Sequence, residues 1–405
     1  MALYYIEELR PSDPSFLTDA SCINSGGLVG GSEDNTQGTT VGVIWPKPSN
    51  PRLFPLTSAV NDLNDSFSGV ADSGDGPVLV GTDVITGGLL ATSLVPPLAS
   101  GASPKSLNNN YLIAGVTGDG HGFVYNYVAK TPPVFFGPPV GMTSCRPSAI
   151  NNSGAVVGNS EDFSSEAYPY RGFLYAGGEL LDLGAVFVSD INDSGVVVGE
   201  AGVWNIKDLS KDFSPIPFPP GFSDTSGFAI NNNGDVVGAC FEDDQGRAFV
   251  YTGGVSTDLN TAIPGGSGWQ LLSANDINDS GQIVGTGLFD GQQRGFLLTP
   301  NTLTAQFPPG GWQLELMKVV PWLLGSHPVS GSGIVIVGGK PVPVGPWGRP
   351  EGNYVEKSEI LISLAMEEMA TQIENIESQV AARRDALERA RTQIDVLLAK
   401  LRERR

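Results

Sequence analysis

The sequence has almost no histidine. His121 and His327 are the only two in 405 residues, so no multi-histidine metal site can form, and a lone histidine is more often structural than catalytic. Cysteine is nearly as scarce. Cys22, Cys145 and Cys240 are widely spaced and odd in number, which excludes a CxxC motif and a disulfide framework and leaves buried thiols as the expectation. Charged residues make up 16% of the chain, and the balance is acidic, with a net charge of −20 and a pI near 4.4. Such a surface repels phosphate, which argues against nucleic acid or an anionic membrane as partner. No run of about 18 apolar residues reads as a membrane span. The N-terminus, MALYYIEELRPSD, lacks the basic and then apolar order of a secretory signal. As written, the chain is expected to stay in the compartment where it is made, the cytoplasm, unless it is a mature form or is released by a non-classical route. A Walker loop, a GxSxG elbow and an HExxH helix are all missing, and neither a cofactor nor a metal is expected.

Glycine and proline are abundant instead. The 53 glycines and 30 prolines are about a fifth of the chain, a composition suited to many short strands and tight turns. They recur in order. INDSGVVVG at Ile191 returns as INNSGAVVG at Ile150, INNNGDVVG at Ile230, INDSGQIVG at Ile277 and the shorter INSGGLVG at Ile23. Weaker copies are LNDSFSGVA at Leu63 and LNNNYLIAG at Leu107. These seven anchors are separated by 40, 44, 43, 41, 39 and 47 residues. A period near 40 with four short strands per repeat describes a propeller blade. The expected fold is therefore all-β: a seven-bladed β-propeller of four-stranded blades over residues 1–308. The N-terminal strand 3–9 has no blade of its own and should close the last one.

Each anchor is followed by a second element, seen as HGF at 121–123, RGF at 171–173, RAF at 247–249 and RGF at 294–296. With AINNSGAVVG and RGFLYAGGELLDLG, these triplets resemble the HAF-repeat proteins of bacteria over about residues 20–300. The resemblance implies a propeller-like β fold and an exported protein, and it implies no catalytic residues. The chain departs from that family in lacking an export signal and in carrying a helical tail.

Residues 309–354 form a Pro/Gly/Trp-rich linker in which proline blocks helix and central strand, although GIVIVGG (333–339) has room for one strand. Residues 355–405 contain neither proline nor glycine. Their apolar positions Ile362, Met366, Met369, Ile373, Ile376, Val380, Leu387, Ile394, Leu397 and Leu401 keep a heptad seam, interrupted at Arg383. This coiled coil is expected to make the protein a homo-oligomer, with dimer and trimer, parallel and antiparallel, all open.

Asp190, Asn192, Ser194 and Gly195 match the first half of a calcium loop, as do Asp276, Asn278, Ser280 and Gly281. The glutamate required at position twelve falls on Ala201 and Gly287. The turn reading explains more: asparagine at i and glycine at i+3 mark a tight hairpin. Phe67 and Tyr111 replace that glycine, so the hairpins of blades 2 and 3 are expected to differ. Function should lie where the repeats differ, in the segments joining the second and third strands. There Phe163, Tyr168, Tyr170, Phe241, Asp243 and Phe289 suit a glycan or protein ligand. His121, Arg171, Arg247 and Arg294 precede the third strand at equivalent positions, either as a ring for an anionic ligand or as partners of nearby carboxylates. Two function classes result. One is a multivalent recognition or scaffold protein without catalysis. The other is a propeller-fold hydrolase using carboxylates in the central channel, whose pair the sequence does not name.

Overall fold

Strands such as Asp224–Ile230 alternate between buried and half-exposed positions, the period of two expected when successive side chains point to opposite faces of a sheet. The computed structural model describes residues 3–301 except 55–56, 67, 74, 83–88, 96–97, 100, 163–169, 201, 208–213 and 243–244. Beyond residue 301 it describes only the strands at 333–337 and 340–344. The chain divides into two compact units, Met1–Asn301 and Thr302–Arg405.

The first unit is an all-β, seven-bladed propeller of antiparallel sheets. Blade 4 shows the plan, with strands Ser144–Ile150, Val156–Glu161, Tyr170–Ala176 and Glu179–Gly184 side by side. The last blade is completed by Tyr4–Leu9, which pairs antiparallel with Gln292–Pro300, so the chain's beginning closes the ring as expected. Blade 5 has three described strands, Val188–Ile191, Val196–Gly199 and Gly202–Asn205, and its outer edge is a single bridge between Val203 and Ser214. Pro215 and Pro217 follow Ser214 and have no amide with which to extend a ladder.

Seven apolar clusters hold the ring, each shared by two neighbouring blades. Ala114, Phe136, Cys145, Ile150, Val156 and Phe173 fill the seam of blades 3 and 4. Leu9, Ala20, Val29, Val43, Trp45, Val284 and Leu297 fill the seam of blades 7 and 1. The triplet phenylalanines Phe123, Phe173, Phe249 and Phe296 are fully buried. Each faces a glycine of the second strand, namely Gly115, Gly158, Gly238 and Gly285. A side chain there would strike both that ring and a carbonyl of the innermost strand. The last glycine of the VVG signature is therefore a close-approach residue.

In the second unit, Gly333–Val337 pairs with Lys340–Val344 as a two-stranded hairpin. Pro341 and Pro343 are carried by the second strand, where each strand of a two-stranded ladder is an edge. The rest of the linker and all the heptad positions, Ile362, Met366, Met369, Ile373, Ile376, Val380, Leu387, Ile394, Leu397 and Leu401, lie outside the described residues. Among the described residues, no helix is long and apolar enough to cross a membrane.

Candidate functional site

The anchors meet on the pseudo-sevenfold axis. The turn between the first and second strands of every blade lines one recess of about 190 Å³ at the mouth of the central channel. Asn24, Asn64, Asn108, Asn151, Asn192, Asn231 and Asn278 are all buried there. The Nδ2 of each donates to the backbone carbonyl of the next asparagine around the ring, at 2.8–3.2 Å, and the circuit closes from Asn278 to Asn24. Each Oδ1 accepts the amide four residues on, as from Val196 at 2.9 Å and Ala155 at 3.0 Å. The following residues make a second, exposed belt. Asn152 donates its amide to Asp193 Oδ1 at 2.8 Å, and Asn232 does the same to Asp279 at 2.8 Å.

Blade 3 corrects one expectation. Tyr111 takes the left-handed conformation, φ 65°, that glycine holds elsewhere. Asn108 and Asn64 make the same bonds to the amides two and four residues on. The blade 3 hairpin is thus of the same kind as the glycine-bearing ones, because the asparagine rather than the glycine holds the turn, and Tyr111 accepts the backbone strain. Phe67 itself lies outside the described residues.

Below the asparagines, the innermost strand of every blade carries a β-bulge, as between Pro147 and Ala149 and between Ala274 and Asp276. A bulge leaves ladder amides unpaired, and the amides of Ile23, Leu63, Leu107, Ile150, Ile191, Ile230 and Ile277 find side chains instead. Asp62 accepts Leu63 and Leu107 at 2.7 and 2.9 Å. Asp190 accepts Ile191 and Ile230 at 2.7 and 2.9 Å. Asp276 accepts Ile277 and Ile23, both at 2.7 Å, and Ser106 Oγ accepts Ile150 at 3.2 Å. Three aspartates and one serine thus satisfy seven amides, each aspartate bridging its own blade to the next. Alanine at 149 and 229 suffices because side chains of the preceding blades cover the next amides, the Ser106 hydroxyl that of Ile150 and the Asp190 carboxylate that of Ile230. Burial pushes Asp62 up to about 6 and Asp276 up to about 8, and raises Asp190 above the usual carboxylate range. The charges of the other channel aspartates raise Asp62 and Asp276 further. The calcium-like spacing at 190–195 and 276–281 is therefore turn and channel chemistry. Sequence reading weighed Asp190 and Asp276 but missed Asp62. The signal was an acid directly before the Ile/Leu-Asn pair, present in three repeats of seven.

The opposite end of the propeller carries the described members of the proposed ligand set. Tyr170 opens a third strand, while Phe241 and Phe289 belong to second strands paired through their ends. The joining segments of blades 6 and 7 are shorter than the sequence suggests. Asp290 and Gly291, at φ 49° and 81°, make a two-residue hairpin turn. Tyr170 is exposed and meets Phe187 of blade 5 edge to face, with centroids 5.8 Å apart. Phe289 stacks on Trp269 at 5.0 Å, and Phe241 is half-buried. Phe163, Tyr168 and Asp243 lie outside the described residues.

His121, Arg171, Arg247 and Arg294 stand at equivalent positions, and each faces a carboxylate. Arg171 pairs with Asp182 at 2.7 Å, Arg247 with Asp258 at 3.4 Å and His121 with Asp119 at 3.4 Å. Arg294 is buried, with Glu8 at 3.0 Å and the carbonyls of Pro14, Phe16 and Gln293 around it.

No protein-family model matches the sequence, and no curated protein matches it. Several solved structures resemble parts of the chain at low identity. An acylaminoacyl peptidase of Pyrococcus horikoshii is 11% identical over 72% of this chain and 54% of its own, with a TM-score of 0.46. This chain thus spans about half of that enzyme's length. The WD40 repeats of RRP9 are 11% identical over 74% of this chain and 99% of their own, with a TM-score of 0.45. YCF48, solved bound to a D1 peptide, is 12% identical over 74% and 96%, with a TM-score of 0.47.

Proposed function

We propose that the chain is a recognition protein without catalysis. The end of the propeller opposite the asparagine ring binds a glycan or protein ligand, and the C-terminal helix joins copies so that weak contacts act together. The observation that supports this reading is the set of rings left partly open at that end across blades 4 to 7: Tyr170 with Phe187, Phe241, and Phe289 with Trp269. Paired aromatic faces flanked by strand-end polar groups suit stacking against sugar or peptide. The competing hydrolase reading needs a channel carboxyl free to reach a substrate. Yet all six oxygens of Asp62, Asp190 and Asp276 accept backbone amides of the channel wall. On a glycan array the full-length protein is expected to bind a defined set of structures, and Tyr170→Ala or Phe289→Ala to weaken that binding about tenfold or more. A blank array removes the glycan arm in favour of a protein ligand. Hits unmoved by both substitutions remove this face.

A further inference from the structure

The hairpin of the second unit, Gly333–Val337 with Lys340–Val344, has two unlike edges. In an antiparallel ladder, opposite residues alternate between pairs that exchange N–H···O bonds and pairs whose amides point away from the partner strand. Proline has no amide, so in a ladder it fits only the second kind. Pro341 stands opposite Ile336, and Pro343 opposite Ile334. These are therefore the outward pairs. The bonds inside the hairpin fall to Gly333 with Val344, Val335 with Val342 and Val337 with Lys340. The outer edge of Lys340–Val344 then offers carbonyls at 341 and 343 and no donor at either. The outer edge of Gly333–Val337 offers both an N–H and a C=O at Ile334 and at Ile336. Proline closes one edge to a further strand and leaves the other open.

We propose that Gly333–Val337 is an interface between two copies of this chain, pairing with itself to join two hairpins into one four-stranded antiparallel sheet. The open edge is complementary to itself. About a twofold axis through Val335, Ile334 falls opposite Ile336 of the second copy and Ile336 opposite its Ile334. Each carries a free N–H and C=O, so each pair exchanges two bonds. The segment GIVIV holds no charged residue in a chain of net charge −20, so two copies meet there without the repulsion that like charges opposite one another bring. Its four β-branched residues suit a strand, and a sheet of four strands is more stable than a lone hairpin. Pro341 and Pro343 then lie on both outer strands, so the sheet stops at two copies and does not grow into a fibre. The contact adds to the C-terminal helix of the recognition reading and does not rest on it.

The test is cysteine cross-linking of the full-length protein under mild oxidation, read on a non-reducing gel. The native Cys22, Cys145 and Cys240 are buried, so the wild type is expected to stay uncross-linked. In Val335→Cys the two thiols sit on the axis, with Cα atoms about 4.5 Å apart, within disulfide range, and a covalent dimer is expected. In Val337→Cys they are four residues apart along the strands, about 13 Å, and the dimer should be at least about tenfold less. Ile336→Pro removes an outward amide and leaves the hairpin's own ladder in place. Added to Val335→Cys, it should lower the dimer to the Val337→Cys level, and Ile334→Pro should do the same. No dimer from Val335→Cys overturns the proposal, as do equal yields from 335 and 337 or a dimer indifferent to both prolines. Light scattering of Ile373→Asp reads the helix separately, so a helix that does not associate leaves this cross-link to stand or fall alone.

Discussion

Asparagine recurs at the inner turn because that position needs a donor and an acceptor on one short side chain. Asn151 donates to the carbonyl of Asn192 in the next blade, while its Oδ1 accepts the amides of Ser153 and Ala155. Aspartate lacks the donor and serine lacks the second arm. Removing the side chain leaves the amides of Ser153 and Ala155 without that acceptor, and the Asn192 carbonyl with the Gly195 amide alone, at a site only 5% exposed. Asn151→Ala is therefore expected to cost about 2–3 kcal/mol, against about 0.5 kcal/mol for exposed Asn152→Ala, measured by urea unfolding. Equal costs for the two would show that the ring contributes no more than ordinary surface bonds. The same logic explains Tyr111, where the asparagine three residues earlier imposes a glycine-like backbone on a tyrosine.

At the scale of the strand, the N-terminal segment does two things. Tyr4–Leu9 supplies the outer strand of blade 7, and its Glu8 neutralises the buried Arg294. Deleting residues 1–9 strips a ladder, uncovers Leu9's place in the core and strands a buried guanidinium. The melting temperature should fall by roughly 10 °C or more, and a peptide of residues 3–10 added in excess should recover part of it. A change below about 2 °C would mean that the ring closes without this strand. This element was legible in the sequence because YYIEEL alternates ahead of the first anchor and has no repeat of its own. The blade count was legible from Ile-Asn spacing, and the turn from Asn and Gly. The bulges were not, since a bulge is set by sheet twist and leaves no fixed residue behind. The channel aspartates were hidden for a related reason. One carboxylate serves two blades, so the acid appears in only three of seven repeats and breaks the pattern that the eye follows. Strand and loop were confused at Phe241 and Phe289, where cross-strand pairs prolong the ladder past the point where the repeats diverge.

At the scale of the molecule, stability is a ring of nearest-neighbour seams, and each seam has the same parts. An apolar cluster lies between the sheets, an asparagine bond sits at the inner turn, and in three blades an aspartate bridge lies beneath it. Because every blade in such a ring has two neighbours, Met1–Asn301 has no need of a second copy to fold. The heptad positions from Ile362 to Leu401 are different in kind. A stripe of two apolar residues in seven is too narrow to be buried by a lone helix and too long to be left in water. On the proposed coiled-coil reading, oligomerisation is expected to belong to residues beyond 301. In light scattering, the full chain is expected at a multiple of its 42.4 kDa mass, a chain ending at residue 301 at its monomer mass, and Ile373→Asp in the full chain shifted towards monomer. If the shortened chain keeps the multiple, the contacts between copies lie on the propeller, and the avidity that the recognition reading requires must come from there. If the full chain is a monomer, the recognition face acts singly, and its affinity for one ligand must by itself account for binding.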